Sequence, residues 1–244
     1  MANYITIDNG NTSTKVGVWH DDKLSVPIVH GSVEPDCIER LAKDCGGYFD
    51  CCIWCSVADN SADLYLRASS LSHKMINLDV STPMPLDFSH YTTPFTLGAD
   101  RIAALAGAHS LHPGRELLVA DCGTAITYDL LSADGVFMGG NIAPGIALRL
   151  EALFRFTSKL PYLHPTNDKV ELWGTSTAEA MQAGAYYGVI AELNYYRRHL
   201  SKDAAIVLTG GAVPYLLPHI DFPVTIDKDL VLTGLKYIID YNED

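Results

Sequence analysis

One pattern occurs twice in this chain: an apolar run ends in aspartate, a glycine follows two positions later, and a second run suited to a strand leaves the turn. Asp8-Asn9-Gly10-Asn11-Thr12 closes the run 4–8 and opens Thr14–Trp19, while Asp121-Cys122-Gly123-Thr124-Ala125 closes Glu116–Ala120 and opens Ala125–Leu131. Taken singly, each reads as a common tight turn between two strands. At matched places in two halves they carry more information. An aspartate at a strand end can hold a hydrated cation, and amides at a close turn can face a phosphate.

The stretches between the turns repeat as well. In the first half the spacing predicts a third strand over Lys23–Val29 after a turn at Asp21-Asp22. A helix over Glu34–Lys43, a strand over Cys51–Val57, a helix over Ser61–Ser70 and a short strand over Met75–Leu78 follow. The alanine-rich segment Leu97–Ser110 repeats its apolar positions at Ile102, Leu105, Ala106 and His109, a helical spacing. In the second half a strand over Val136–Ile142 precedes a helix from Pro144 to about Phe156 and a long helix over Ser176–Leu200 with Ala178, Gly184, Ala185 and Gly188 on its packing side. Strands at Ala204–Leu208 and Val224–Ile226 and a helix over Leu230–Asp240 close the chain. The order β-β-β-α-β-α thus appears twice. It predicts an α/β fold of two lobes, 1–114 and 115–244, each a mixed sheet flanked by helices, with a cleft between them.

Composition narrows the partners. The 244 residues hold 17 lysines and arginines against 29 aspartates and glutamates, a net charge of −12. That balance disfavours nucleic acid and anionic membrane surfaces as partners. The N-terminal residues lack the basic and apolar regions of a secretory signal, so a cytoplasmic protein is expected. Of six cysteines, Cys52 and Cys55 have the spacing of a metal or redox pair. Within a strand, positions three apart face opposite ways, which leaves buried structural thiols as the expectation. The nine histidines show no metal-ligand spacing. Neither a nucleophile-elbow motif nor a Walker-type phosphate loop is present.

Four further motifs stand where helices begin. Gly98-Ala99-Asp100-Arg101 stands at a helix mouth, where Asp100 either caps the helix or accepts a proton from a substrate hydroxyl, and Arg101 can grip an anion. Gly139-Gly140-Asn141-Ile142-Ala143-Pro144-Gly145 and Thr209-Gly210-Gly211-Ala212 are turns that need small residues, either for packing or for close approach of a ligand. Gly174-Thr175-Ser176-Thr177 opens the long helix, where at least one of the hydroxyls caps, Glu179 sits near the start as the helix dipole favours, and Thr177 either caps or faces substrate.

In this order the motifs resemble the type III pantothenate kinase family of the actin-like sugar-kinase superfamily: Asp8-x-Gly10-Asn11-Thr12, Tyr91-x-x-Pro94 leading to Gly98-x-Asp100-Arg101, Asp121-x-Gly123-Thr124-Ala125, Gly139-Gly140-x-Ile142-x-Pro144-Gly145 and Gly174-x-x-Thr177. The resemblance implies a duplicated ribonuclease H-like, actin-like ATPase fold and ATP-dependent phosphorylation of pantothenate to 4′-phosphopantothenate, the first step toward coenzyme A. It implies that Asp8, Asn9, Gly10, Asn11, Thr12, Ser13, Thr14, Lys15 and Thr124 bind ATP, with Asp8 near magnesium. Asp100 is then the general base, and Tyr91, Gly98, Ala99, Asp100, Arg101 and Thr177 line the pantothenate site. Asp121 would hold a monovalent cation, potassium or ammonium, and the family is homodimeric. Cys122 stands at a variable position and would perturb the cation site slightly. The rivals are a sugar or acyl kinase of the same superfamily and a non-catalytic nucleotide-binding regulator.

Overall fold

The computed structural model describes residues 2–21, 23–58 and 61–243 and, for residues 25–30, the backbone alone. The turn expected at Asp21-Asp22 therefore falls partly on a residue, Asp22, outside the described residues.

The first unit comprises Met1–Pro113, Gly135–Phe137 and Asp229–Asp244. Its elements are β1 (Asn3–Asn9), β2 (Thr14–His20), β3 (Lys23–Gly31), α1 (Pro35–Asp44), β4 (Phe49–Ser56), α2 (Ala62–Ser70), β5 (Ser72–Asn77) and α3 (Ala99–Leu111). The strands lie in the order β3-β2-β1-β4-β5, with β1 antiparallel to β2 and parallel to β4.

Alternation along the strands assigns the faces. Ile5, Ile7, Val16, Val18, Cys52 and Trp54 pack with Ile38 and Ala42 of α1 and with Leu64 and Ala68 of α2. The register pairs Ile5 with Cys52 and Asp8 with Cys55, so Cys52 and Cys55 point to opposite faces, as expected from the strand period. All six cysteines are free.

The second unit comprises Gly114–Asp134 and Met138–Lys228. Its elements are β6 (Leu117–Cys122), β7 (Ala125–Leu131), β8 (Phe137–Pro144), α4 (Ile146–Arg155), α5 (Thr177–Arg197), β9 (Ala205–Thr209), α6 (Val213–Leu216) and β10 (Thr225–Ile226). The sheet order β10-β9-β6-β7-β8 is the first sheet's order repeated: β6 pairs antiparallel with its hairpin partner β7 and parallel with β9. Leu118, Ala120, Ile126, Tyr128, Leu150, Tyr186, Val189, Leu193, Ile206 and Leu208 are buried in one cluster. Each large apolar side chain sequestered in this way contributes about 1.5–3 kcal/mol.

Three local expectations differ. The helix expected from Pro144 begins at Ile146, because Pro144 still ends β8 and Gly145, the N-cap, keeps an extended backbone while its N–H reaches Thr124 O. The stripe of small residues expected on α5 carries only part of its packing: Ala185 is buried in the core and Gly188 lies against Arg149, but Gly184 is exposed, and the larger Met181, Tyr186, Val189 and Leu193 face the core. The third difference is the placement of the last helix, α7 (Leu230–Glu243). It belongs to the first unit, although it follows the whole second repeat in sequence. Gly234 and Gly107 let α7 approach α3 backbone to backbone: a Cβ on Gly234 would run into the Ala103 carbonyl, and one on Gly107 into that of Leu230. Lys236 then lies buried over the rings of Tyr4 at 5.3 Å and Trp19 at 6.0 Å and pairs with Asp240.

Candidate active site

In the first unit, Asp8 is the penultimate residue of β1, on the same face as Cys55. Cys55 is wholly buried. Burial above all, then the Asp8 and Asp100 carboxylates, raise its thiol well above the ordinary value, so it stays protonated. Asp8 lies directly level with Cys55 across the parallel pair β1 and β4. The turn after Asp8 is wired by side chains. Asn9 is buried and donates through Nδ2 to Ser56 Oγ at 2.9 Å, while its Oδ1 accepts from Thr14 Oγ1 at 2.8 Å. Its carbonyl accepts from Val57 N at 3.1 Å, and Gly10 N donates to Ser13 O across the loop at 3.1 Å. Asn11, Thr12 and Ser13 are exposed at the tip, and Lys15 is half-buried on β2.

Helix α3 begins with Gly98 as N-cap, so Asp100 is not the cap that the plainest reading of its motif made it. Instead its Oδ1 accepts from Arg101 N at 2.8 Å, which holds the carboxylate at the helix mouth. A Cβ at position 98 would strike that same oxygen, so glycine there preserves the carboxylate's position. The same Cβ would lie 3.8 Å from Val57, the residue bonded to Asn9. Ala99 is the first helical residue. Arg101 is buried, and its guanidinium lies 5.8 Å from the ring of Phe137. Tyr91 packs against the same ring at 5.3 Å, so Phe137 joins two residues that the sequence reading left separate. The 135–137 segment reaches them by pairing with Asp87: Asp87 N donates to Gly135 O and Phe137 N to Asp87 O.

A cavity of about 480 Å³ opens beside Asn9 and Thr14. Glu34 and Asp63 help line it, and two carboxylates make it a poor seat for phosphate.

In the second unit, Asp121 is half-buried near the end of β6 and Thr124 is exposed at the turn. Here the backbone does the holding. Gly145 N donates to Thr124 O at 2.9 Å, and a Cβ on Gly145 would strike the carbonyls of Gly123 and Thr124. From the other side, Ala212 N donates to Cys122 O at 2.8 Å, and a Cβ on Gly210 would strike Asp121 Oδ1. Gly210 has φ +96°, so both its backbone and its neighbours exclude a side chain. Cys122 is buried in the core of this unit, its thiol pushed up to about 12 by burial first and the Asp121 carboxylate second.

Thr177 is the exposed first residue of α5. The cap itself is a Ser176–Glu179 capping box, reinforced by Thr175, which donates to Glu179 through both N and Oγ1 at 2.7 Å. Among the described residues no cluster of three or more His, Cys, Asp or Glu gathers as a metal site.

Comparison with known proteins decides the family. The family model for type III pantothenate kinase matches residues 4–199. A type III pantothenate kinase of Porphyromonas gingivalis is 38% identical over 250 residues, spanning 99% of this chain and 100% of that protein. The chain belongs to the type III pantothenate kinase family. Among solved structures, a Campylobacter jejuni protein described under the Baf family of transcriptional activators aligns at a TM-score of 0.64 with 22% identity, covering 98% of each chain. The activator of 2-hydroxyisocaproyl-CoA dehydratase from Clostridium difficile, solved with bound ADPNP, aligns at 0.53 with 11% identity, over 99% of this chain and 96% of that one. These last two establish a shared actin-like fold and nothing about substrate.

Against the family motifs, sequence reasoning missed Phe137 and Cys55. Phe137 lay unremarked within an expected strand. Cys55 carried no signal either, because the register that sets it level with Asp8 is fixed only by the pairing of β1 with β4.

Proposed function

We propose that this chain transfers the γ-phosphoryl group of ATP to the primary hydroxyl of pantothenate, giving 4′-phosphopantothenate and ADP. The observation that supports this reading is the meeting of the two motifs at Val57: its N–H donates to the carbonyl of Asn9, next to Asp8, and a Cβ on Gly98 would lie against both Val57 and Asp100 Oδ1. It puts the carboxylate of the phosphate hairpin and the carboxylate of the helix mouth in one neighbourhood. Asp100 takes the hydroxyl proton as the pantothenate oxygen bonds to the γ-phosphorus and the bond to ADP breaks. Tyr91, Gly98, Ala99, Arg101 and Thr177 are the proposed pantothenate contacts, with Arg101 answering its carboxylate. The hairpin from Asp8 through Asn9, Gly10, Asn11, Thr12, Ser13 and Thr14 to Lys15, together with Thr124, is the proposed ATP site.

Asp8 suits a magnesium ion that arrives with the nucleotide, since magnesium in such sites takes one or two carboxylates and draws its other ligands from phosphates and water. Asp121 is the proposed holder of potassium or ammonium. When bound, these ions supply neutralising charge for the phosphates.

The boundary between residues 114 and 115 is proposed to separate the two repeats of the duplicated fold, with α7 of the second stretch returning to the first unit, supported by the repeated strand order; limited proteolysis should nick first near the exposed Gly114. A homodimer is proposed, supported by Phe156 and Trp173, which are 86% and 83% exposed in the second unit. Light scattering at the mass of one chain would refute it. Six free thiols support a reducing, cytoplasmic location, to be tested by cell fractionation.

The test of the reaction is mass spectrometry of pantothenate, ATP, magnesium and potassium incubated with the protein. Phosphopantothenate should accumulate, and Asp100→Asn should lower kcat about 10²–10⁴-fold while ATP still binds. Near-normal turnover by that variant would remove Asp100 from the role of base. ATP hydrolysis indifferent to pantothenate would overturn the whole reading.

A further inference from the structure

Arg149, on α4, anchors a chain of hydrogen bonds to which no role has yet been given. Its Nε donates to the Pro144 carbonyl at 2.7 Å, and its Nη2 pairs with Glu192 Oε1 on α5 at 2.6 Å. The other Glu192 oxygen accepts from the Tyr128 hydroxyl at 2.8 Å. Both ends of this chain return to one place. Tyr128 lies on β7, the strand that begins immediately after Thr124, and Pro144 precedes Gly145, whose N–H donates to the Thr124 carbonyl at 2.9 Å. The circuit Thr124–Gly145–Pro144–Arg149–Glu192–Tyr128 is therefore closed.

The circuit is more than a surface pair. The side chains of Arg149 and Glu192 are only 18% and 30% exposed, and the bonds are charge-assisted. Gly188 makes the space for it: a Cβ there would stand 2.6 Å from Arg149 Nη1. Gly188 precedes Glu192 by one helical turn, on the same side of α5, so the guanidinium lies across the glycine to reach the carboxylate. Two of the five N–H donors of Arg149, on Nε and Nη2, are committed to a carbonyl and a carboxylate.

We propose that Arg149 is a positioning residue for the ATP turn. By tying the Pro144 carbonyl to Glu192, it holds Gly145 against the Thr124 carbonyl and fixes the hairpin on which ATP is bound. This rests on the reading of Thr124 as an ATP contact.

The test is steady-state kinetics with KM for ATP and KM for pantothenate measured separately, alongside melting temperatures, for Arg149→Met, Arg149→Lys, Gly188→Ala and Thr124→Val. Arg149→Met should raise KM for ATP about tenfold, the factor expected for one lost charge-assisted bond, and change KM for pantothenate less than about twofold. Arg149→Lys should recover part of the loss, since an ammonium serves one acceptor well but lacks the planar fork. Gly188→Ala separates positioning from stability. Alanine favours the helix, so the melting temperature should hold or rise, yet KM for ATP should increase as the new methyl displaces the guanidinium. This variant carries the test even if Arg149→Met fails to fold. An unchanged KM for ATP in Gly188→Ala and in every folded Arg149 variant overturns the proposal, whatever the melting temperatures do. If Thr124→Val raises KM for ATP while Arg149→Met and Gly188→Ala leave it alone, the tether alone falls. If Thr124→Val itself has no effect, the nucleotide role of Thr124 falls and the proposal falls with it.

Discussion

The turn after Asp8 and the turn after Asp121 read alike in sequence and are held in different ways. In the first, Asn9 pairs with Thr14 and Ser56 through its side chain, and a Cβ on Gly10 would meet Ser13 O at 3.2 Å, close but not prohibitive. In the second, the grip comes from the backbones of Gly145 and Gly210–Ala212, which approach so closely that a side chain at either glycine would strike the turn. Neither turn glycine, Gly10 or Gly123, has a positive φ, so the shared glycine answers to close quarters rather than to handedness. One sequence signature can thus rest on a polar side chain in one copy and on missing side chains in the other. The neighbours, not the motif, decide which.

That contrast can be broken by substitution. The largest effect is expected at Gly210→Ala. Strain at φ +96° and collision with the Asp121 carboxylate should together cost on the order of 2–4 kcal/mol, and potassium dependence should weaken with it. Urea unfolding and activity against potassium concentration would measure both. A fully stable variant with unchanged potassium response would mean that the second turn is not held as described.

Next comes Asn9→Ala in the first turn, which leaves Thr14 Oγ1 and Ser56 Oγ short of a buried partner. The expected cost is about 1–3 kcal/mol, with a raised KM for ATP but an unaltered potassium response. Equal potassium sensitivity in the two variants would erase the distinction.

The smallest effect is a pH dependence confined to the first unit. His109 on α3 has a buried Nδ1 without a hydrogen-bond partner, and burial lowers its pKa from 6.5. The unfolded chain therefore binds this proton more readily than the folded one. Stability is at its full value above about 6.5 and declines as the pH drops through that value toward the depressed folded pKa. Urea midpoints at pH 7.5 and 5.5 should differ more in the wild type than in His109→Phe. Parallel pH curves would remove His109 as the source.

Much of the fold was legible because period-two apolar runs and Asp-x-Gly turns are local. The strands of both sheets follow from them within a few residues, and a hydroxyl cap at the start of α5 from the run of threonine and serine there. The boundaries that moved, at Pro144 and Gly98, moved where a turn bonds to a segment remote in sequence or where glycine rather than aspartate caps a helix. The candidate site divides in the same manner. The motif residues were readable one by one, whereas the ring of Phe137 beneath Tyr91 and Arg101 and the thiol of Cys55 level with Asp8 were not.

The order of residues alone determined the duplicated α/β pattern, the family and the candidate side chains for chemistry, because periodicity, turn propensity and motif spacing act over a few positions. Only the tertiary structure decided that α7 returns to the first unit, that Gly210 closes on Asp121 and that Arg149 ties the Pro144 carbonyl to Glu192. Those contacts depend on how closely two backbones distant in sequence can approach, and that distance is set by the missing Cβ atoms and buried charges of both partners at once.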